Sequence, residues 1–159
     1  MTDNFIQLHK DNKLKIKILD YEGNDTGEFL EFDIADIDLS LKLDECYMKH
    51  KKNFDFIKNK IAIISKRQDF NNKSILSRNE REEAEAIKEF YEKEEEALDL
   101  FLGKGGTKKL LNGRSFNLYT FDQLLDELKP ITDMLKNQKD TITEEIKKKY
   151  SISNEEVLK

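Results

Sequence analysis

With 159 residues and a net charge of −5, the chain is long enough for one domain with a real core. It is also too acidic for a general phosphate-backbone binder, which needs a net basic face. Charged residues make up 38% and apolar residues 37%, a balance that suits helices with narrow buried stripes and points to a protein partner.

Residues 1–12 leave two readings open, a short edge strand through Phe5, Ile6 and Leu8 or a simple clasp. In residues 13–19, Leu14, Ile16 and Ile18 alternate with lysines, the period-two signature of a half-buried strand. Residues 20–27 are rich in Asp, Asn and Gly and read as a turn, after which Leu30, Phe32 and Ile34 alternate again. The two runs predict a hairpin. A two-stranded hairpin is marginal in water by itself, so its apolar face is expected to lie on the helices that follow.

From Leu43 the period changes, and Leu43, Tyr47, His50, Phe54, Ile57, Ile61 and Ile64 form a heptad-like stripe on a predicted helix. Residues 65–77 connect it to a second, acidic helix. The start of that helix is marked by Ser77-Arg78-Asn79-Glu80, a capping box in which the Ser hydroxyl and the Glu carboxylate each bond a backbone N–H. Ala84, Ile87, Tyr91, Ala97 or Leu98, and Phe101 form its predicted apolar stripe, while its many glutamates, Glu94 among them, are expected to stay in water. Gly103 is suited to ending the helix, and Gly105-Gly106 to delaying any resumption. Between positions 49 and 67 seven basic residues face one acid, and between 80 and 99 ten acids face three bases. Opposite charge blocks favour an antiparallel pair, with the apolar stripes supplying most of the attraction.

Lys108 to Leu111 predicts one helical turn, closed by Asn112-Gly113. Thr120-Phe121-Asp122-Gln123 offers a second capping box, and Phe121, Leu124, Leu125, Leu128, Ile131 and Leu135 extend an amphipathic helix. Pro130 is expected to kink that helix or end it near Lys129. The resulting fold class is α+β: an N-terminal β-hairpin, with a third short strand left open, packed on a mainly α-helical bundle with two long antiparallel helices. Residues 1–137 are read as a single α+β domain and 138–159 as a charged C-terminal tail, frayed or ordered by a partner.

Several stretches invite a chemical reading. Gly103-Lys104-Gly105-Gly106-Thr107-Lys108 has the composition of a phosphate-cradling loop, but a helix precedes it and the G-x-x-x-x-G-K-[ST] spacing fails, so a helix stop and turn is favoured over nucleotide binding. Asp20, Glu22, Asn24 and Glu31 fall on ligand positions of a calcium loop, yet Asp25 stands where that loop requires Gly. Cys46 and His50 lie four apart and could share a metal, but only His9 remains as a further nitrogen donor, too few ligands for zinc. A Cys–His nucleophile pair lacks an orienting motif. The acidic run is read as a solvated surface, because catalytic carboxylates need a cleft to shift their pKa. The basic run has little aromatic interleaving and an acidic neighbour, which disfavours nucleic acid. No catalytic residue, cofactor or metal is therefore expected, and no enzyme. Cys46 is the only cysteine, which excludes an intrachain disulfide, and no signal-peptide pattern or long apolar run occurs. A soluble, cytosolic protein without membrane contact is the expectation.

Phe90-Tyr91-Glu92-Lys93, read with the run from Ala97-Leu98-Asp99-Leu100-Phe101-Leu102-Gly103 through the double glycine to Asn112-Gly113-Arg114, resembles the tail assembly chaperones of long-tailed phages and prophages of Gram-positive bacteria. The N-terminal β segment, Asp36-Ile37-Asp38-Leu39-Ser40-Leu41 leading into a helix, and the amphipathic C-terminal helix fit the same type, so that the resemblance covers roughly residues 10–136. It implies a non-enzymatic protein that coats the tape-measure protein, keeps its apolar helices from aggregating and recruits tail-tube subunits. Such proteins act in the cytoplasm of the bacterial host and are absent from the finished virion. Partner contacts are expected along exposed parts of the stripes around Phe101, Leu102, Gly103, Gly105, Gly106, Leu110 and Leu111. Self-association is left open. The alternatives are a general helical adaptor or regulator and, behind it, a nucleotide-binding protein using residues 103–109.

Overall fold

The computed structural model describes residues 4–8, 12–71 and 73–150. The alternating run becomes β1 (Lys13–Leu19), which pairs antiparallel with β2 (Asp25–Asp33), placing Leu14 opposite Phe32 and Ile16 opposite Leu30. Apolar side chains therefore share one face, on which Ile18, Leu30 and Phe32 are buried. The turn is built by Asp20, whose carboxylate accepts the N–H groups of Glu22 at 2.9 Å and Asn24 at 2.8 Å, with Gly23 at φ 87° completing the reversal. The Asn24 backbone bond above all holds the Asp20 carboxyl below its ordinary range. A third strand is not found among the described residues: 4–8 are irregular, with Phe5, Ile6 and Leu8 in solvent, and the rest of 1–11 lies outside the described residues.

Four helices follow, α1 (Ile37–Ser65), α2 (Arg78–Leu102), α3 (Gly106–Leu111) and α4 (Leu118–Lys149), giving the expected α+β class. Among the described residues no helix is long and apolar enough to cross a membrane. The chain divides into two compact units, Met1–Ser40 with Leu128–Lys159, and Leu41–Glu127. In the first, the buried side chains are Ile18, Leu30 and Phe32 from the hairpin and Leu128, Ile131 and Leu135 from α4. The second contains the paired lengths of the two long helices.

Within that second unit α1 and α2 run antiparallel, as the charge blocks suggest. His50 and Asn53 meet Glu94, the Lys93 ammonium lies 4.0 Å from the centroid of Phe56, and Arg67 meets Asn79 and Glu82. The buried faces keep the predicted Leu43, His50, Ile57, Ile61 and Ile64 of α1 and Ala97, Leu98 and Phe101 of α2, and depart from the predicted stripes at other positions. On α1, Tyr47 and Phe54 stand in solvent, while Cys46 is buried and Asn53 half-buried. On α2, Ala84 and Ile87 are exposed and Tyr91 only half-buried, while Asn79, Ala86, Phe90 and Glu94 turn inward together with the predicted Ala97, Leu98 and Phe101. The expectation that Glu94 stays in water is thus overturned: hydrogen bonds from α1 replace its hydration, which lets a charged group occupy a core position.

The ends of the helices are set by side chains. The Ser77–Glu80 capping box forms in both directions, at 3.2 and 2.7 Å. Beside it, the Asn79 amide donates to the carbonyls of Ile64 at 3.2 Å and Arg67 at 2.9 Å, satisfying the end of α1 from the first turn of α2. Helix α4 is capped by Asn117 rather than Thr120. The Asn117 side chain accepts from Tyr119 and Thr120 N–H, and the Thr120 hydroxyl accepts from Asn117 N–H at 2.9 Å. Nor does Pro130 end the helix near Lys129. It lies inside α4, on the exposed side, where the Asp126 carbonyl it deprives of a donor can reach water. Of the charged segment 138–159, residues up to Lys149 belong to α4, and 151–159 lie outside the described residues.

Candidate functional site

Two polar clusters stand on the α1–α2–α3 framework. The first grows from Glu94, which follows Ala86 and Phe90 at four-residue steps and so inherits their inward direction. Its Oε2 lies 2.6 Å from His50 Nδ1 and its Oε1 accepts from Asn53 Nδ2 at 2.8 Å. His50 and Asn53 are three apart on α1 and reach the same carboxylate from one face. The His50 ring also packs on Phe121, 5.5 Å between centroids, and Phe121 in turn on Phe116. Among the described residues no buried side-chain polar atom lacks a hydrogen-bond partner, so this cluster is closed.

An imidazole oriented by a buried carboxylate is the pair that hydrolases use to activate a nucleophile. Cys46 is the nucleophile the sequence offers beside it. Burial first, and the charge of Glu94 second, push its thiol up to about 11, which keeps it protonated at neutral pH. What the geometry shows is a helix-register lock, in which His50 and Asn53 of α1 hold one carboxylate of α2. As for metal, no three His, Cys, Asp or Glu side chains among the described residues come together in a group that could hold an ion, and His9 lies outside them.

The second cluster is the glycine bend. Gly103 leaves α2 at φ 87° and Gly105 sits at φ 75°, conformations that glycine adopts without strain. The Asp99 carboxylate accepts from Gly105 N–H at 3.1 Å, from Thr107 N–H at 2.9 Å and from the Thr107 hydroxyl at 2.7 Å. The helix pauses over residues 103–105 and resumes with Gly106 as the first residue of α3, ahead of the predicted start at Lys108. The N–H groups that a phosphate would need are bonded to an internal carboxylate, and its charge repels a second anion.

Of the residues expected to contact a partner, Phe101, Leu102, Gly106 and Leu111 are buried, Gly105 and Leu110 are half-buried, and Gly103 is exposed. The bend brings α3 back to pack with the end of α2, which covers the buried ones within the chain. Large apolar side chains are exposed instead on α1: Leu41 and Met48 on one line, Tyr47 and Phe54 on another. Sequence reasoning gave Tyr47 and Phe54 to the buried stripe. The signal that could have corrected it is the inward spacing of Ala86, Phe90, Ala97 and Phe101, which leaves a gap at Glu94 opposite the polar pair His50 and Asn53. Comparison with protein-family models, with curated proteins and with solved structures finds no match for this chain.

Proposed function

We propose that the chain is a non-enzymatic tail assembly chaperone, which holds apolar helices of a tape-measure protein in the host cytoplasm and helps recruit tail-tube subunits. One observation carries the helix-binding part of this reading. Helix α1 buries one side against α2 while Leu41, Tyr47, Met48, Phe54 and Ile63 stay at least half exposed elsewhere on its surface. In a helix whose structural face is already covered, two further lines of large apolar residues at seven-residue spacing suit a second helix laid alongside. The polar clusters support the same reading, since each is closed on itself, one locking the helix pair and the other the glycine bend. The phage-specific part rests on the resemblance of residues 90–114.

The test is co-expression with a tape-measure protein, sought as a long helical reading frame beside the gene for this chain. The expected result is a soluble complex that co-purifies through two columns. If the tape-measure protein stays equally insoluble with and without this chain, and no complex forms, the function is wrong.

A further inference from the structure

The outward side of α1 carries charge as well as apolar area. Tyr47, Lys51, Phe54 and Lys58 succeed one another at steps of four, three and four, so they lie along one side of the helix. All four are exposed, with Tyr47 57% and Phe54 54% accessible. The Lys51 ammonium lies 4.8 Å from the Tyr47 ring centroid. Among the described residues neither Lys51 nor Lys58 has a carboxylate partner, whereas Lys49 on the same helix reaches Glu45 at 3.8 Å. From 49 to 60 five lysines are opposed by Asp55 alone.

We propose that this row docks an acidic amphipathic helix of a partner protein, its apolar side chains seated on Tyr47 and Phe54 and its carboxylates on Lys51 and Lys58. The proposal deepens the helix-binding reading above and rests on it. Two rings one heptad apart give rigid contact area at low entropic cost, the usual anchor of a protein interface. Lys51 between the rings and Lys58 beyond them, neither with a carboxylate partner among the described residues, set the sign of the partner, because a basic helix would bring like charges into register with both. The 4-3-4 spacing is that of a helix lying nearly parallel to α1.

Dye-labelled synthetic helices of about 21 residues, with leucines at heptad positions, are titrated with the full chain and followed by anisotropy. One peptide carries glutamates beside its leucines, a second carries lysines there, and a single-stranded DNA oligonucleotide is the third probe. The acidic peptide should bind about tenfold or more tightly than the basic one, and less tightly as salt rises. Tyr47→Ser with Phe54→Ser should weaken it about tenfold or more, Lys51→Glu with Lys58→Glu should reverse the preference, and Glu85→Lys on α2 should change nothing. All the substituted side chains are exposed, so the variants should fold, and circular dichroism checks that they do. Equal affinity for both peptides, tighter binding of the oligonucleotide, absence of binding, or indifference to the double variants would each overturn the proposal. A tape-measure complex that survives both double variants sinks this surface and leaves the function standing. An acidic peptide that needs the row, with no tape-measure complex, does the reverse.

Discussion

Glu94 and His50 meet across the α1–α2 interface at 2.6 Å, and they are unequally buried: the glutamate side chain is 1% exposed and the histidine 32%. Removing either partner therefore strands groups with different access to water. After His50→Ala the carboxylate stays inside with Asn53 alone, a loss of about 3 kcal/mol by analogy with broken buried pairs. After Glu94→Ala the imidazole can turn to solvent, and the cost should fall to about 1–2 kcal/mol for the lost bonds and packing. Urea unfolding of the two variants gives the order directly. A larger loss for Glu94→Ala would mean that the pair is not the register lock described above.

Acid should loosen the junction between α1 and α2. A hydrogen bond from the Ser77 side chain, then the Asn79 N–H, holds the Asp69 carboxyl below its ordinary 3.8, and the hydrogen bond from Arg67 holds Glu82 below its ordinary 4.5. A carboxyl depressed in the folded state contributes stability that is full above its unfolded pKa and disappears as pH falls through the folded one. Thermal melts of the wild type and Arg67→Met should therefore differ most at pH 7, and the gap should narrow as the pH falls below 4.5, to what the non-titrating Arg67–Asn79 bonds contribute. A gap that widens on acidification would contradict the assignment.

The hairpin, the two long helices, their antiparallel pairing and the Ser77–Glu80 box are legible in the sequence because each rests on a local signal: alternation, heptad spacing, charge blocks or a four-residue cap. The faces of the helices are legible only in part. Periodicity follows apolar residues, so it drew Tyr47, Phe54, Ile87 and Tyr91 inward and passed over Asn53, Asn79 and Glu94, whose burial depends on hydrogen bonds from another helix. Asn117 was missed for a related reason, since its reciprocal partner is a Thr where the capping box expects Glu or Gln. The Asp99 knot at the glycine bend joins residues up to eight apart and has no one-helix pattern at all.

Gly106 is fixed by space rather than by backbone angle. A methyl group there would sit 2.6 Å from the Leu102 Cβ, the root of a buried side chain, which no rotamer change can move away. Gly106→Ala should cost about 1–3 kcal/mol, the usual penalty for overpacking, and weaken the Asp99 bonds to Gly105 and Thr107. Amide exchange at Thr107 reads this: faster exchange is expected, and an unchanged rate with unchanged stability would mean that the bend repacks freely.

The interaction surface is tested most directly by photo-crosslinking in cells that co-express a tape-measure protein. A benzophenone amino acid replaces Tyr47, Phe54 or, as a control on the outer side of α2, Glu85. Adducts with that protein are expected from positions 47 and 54 and not from 85. Crosslinks from 85 with none from 47 or 54 would contradict the claim that the solvent side of α1 receives the partner.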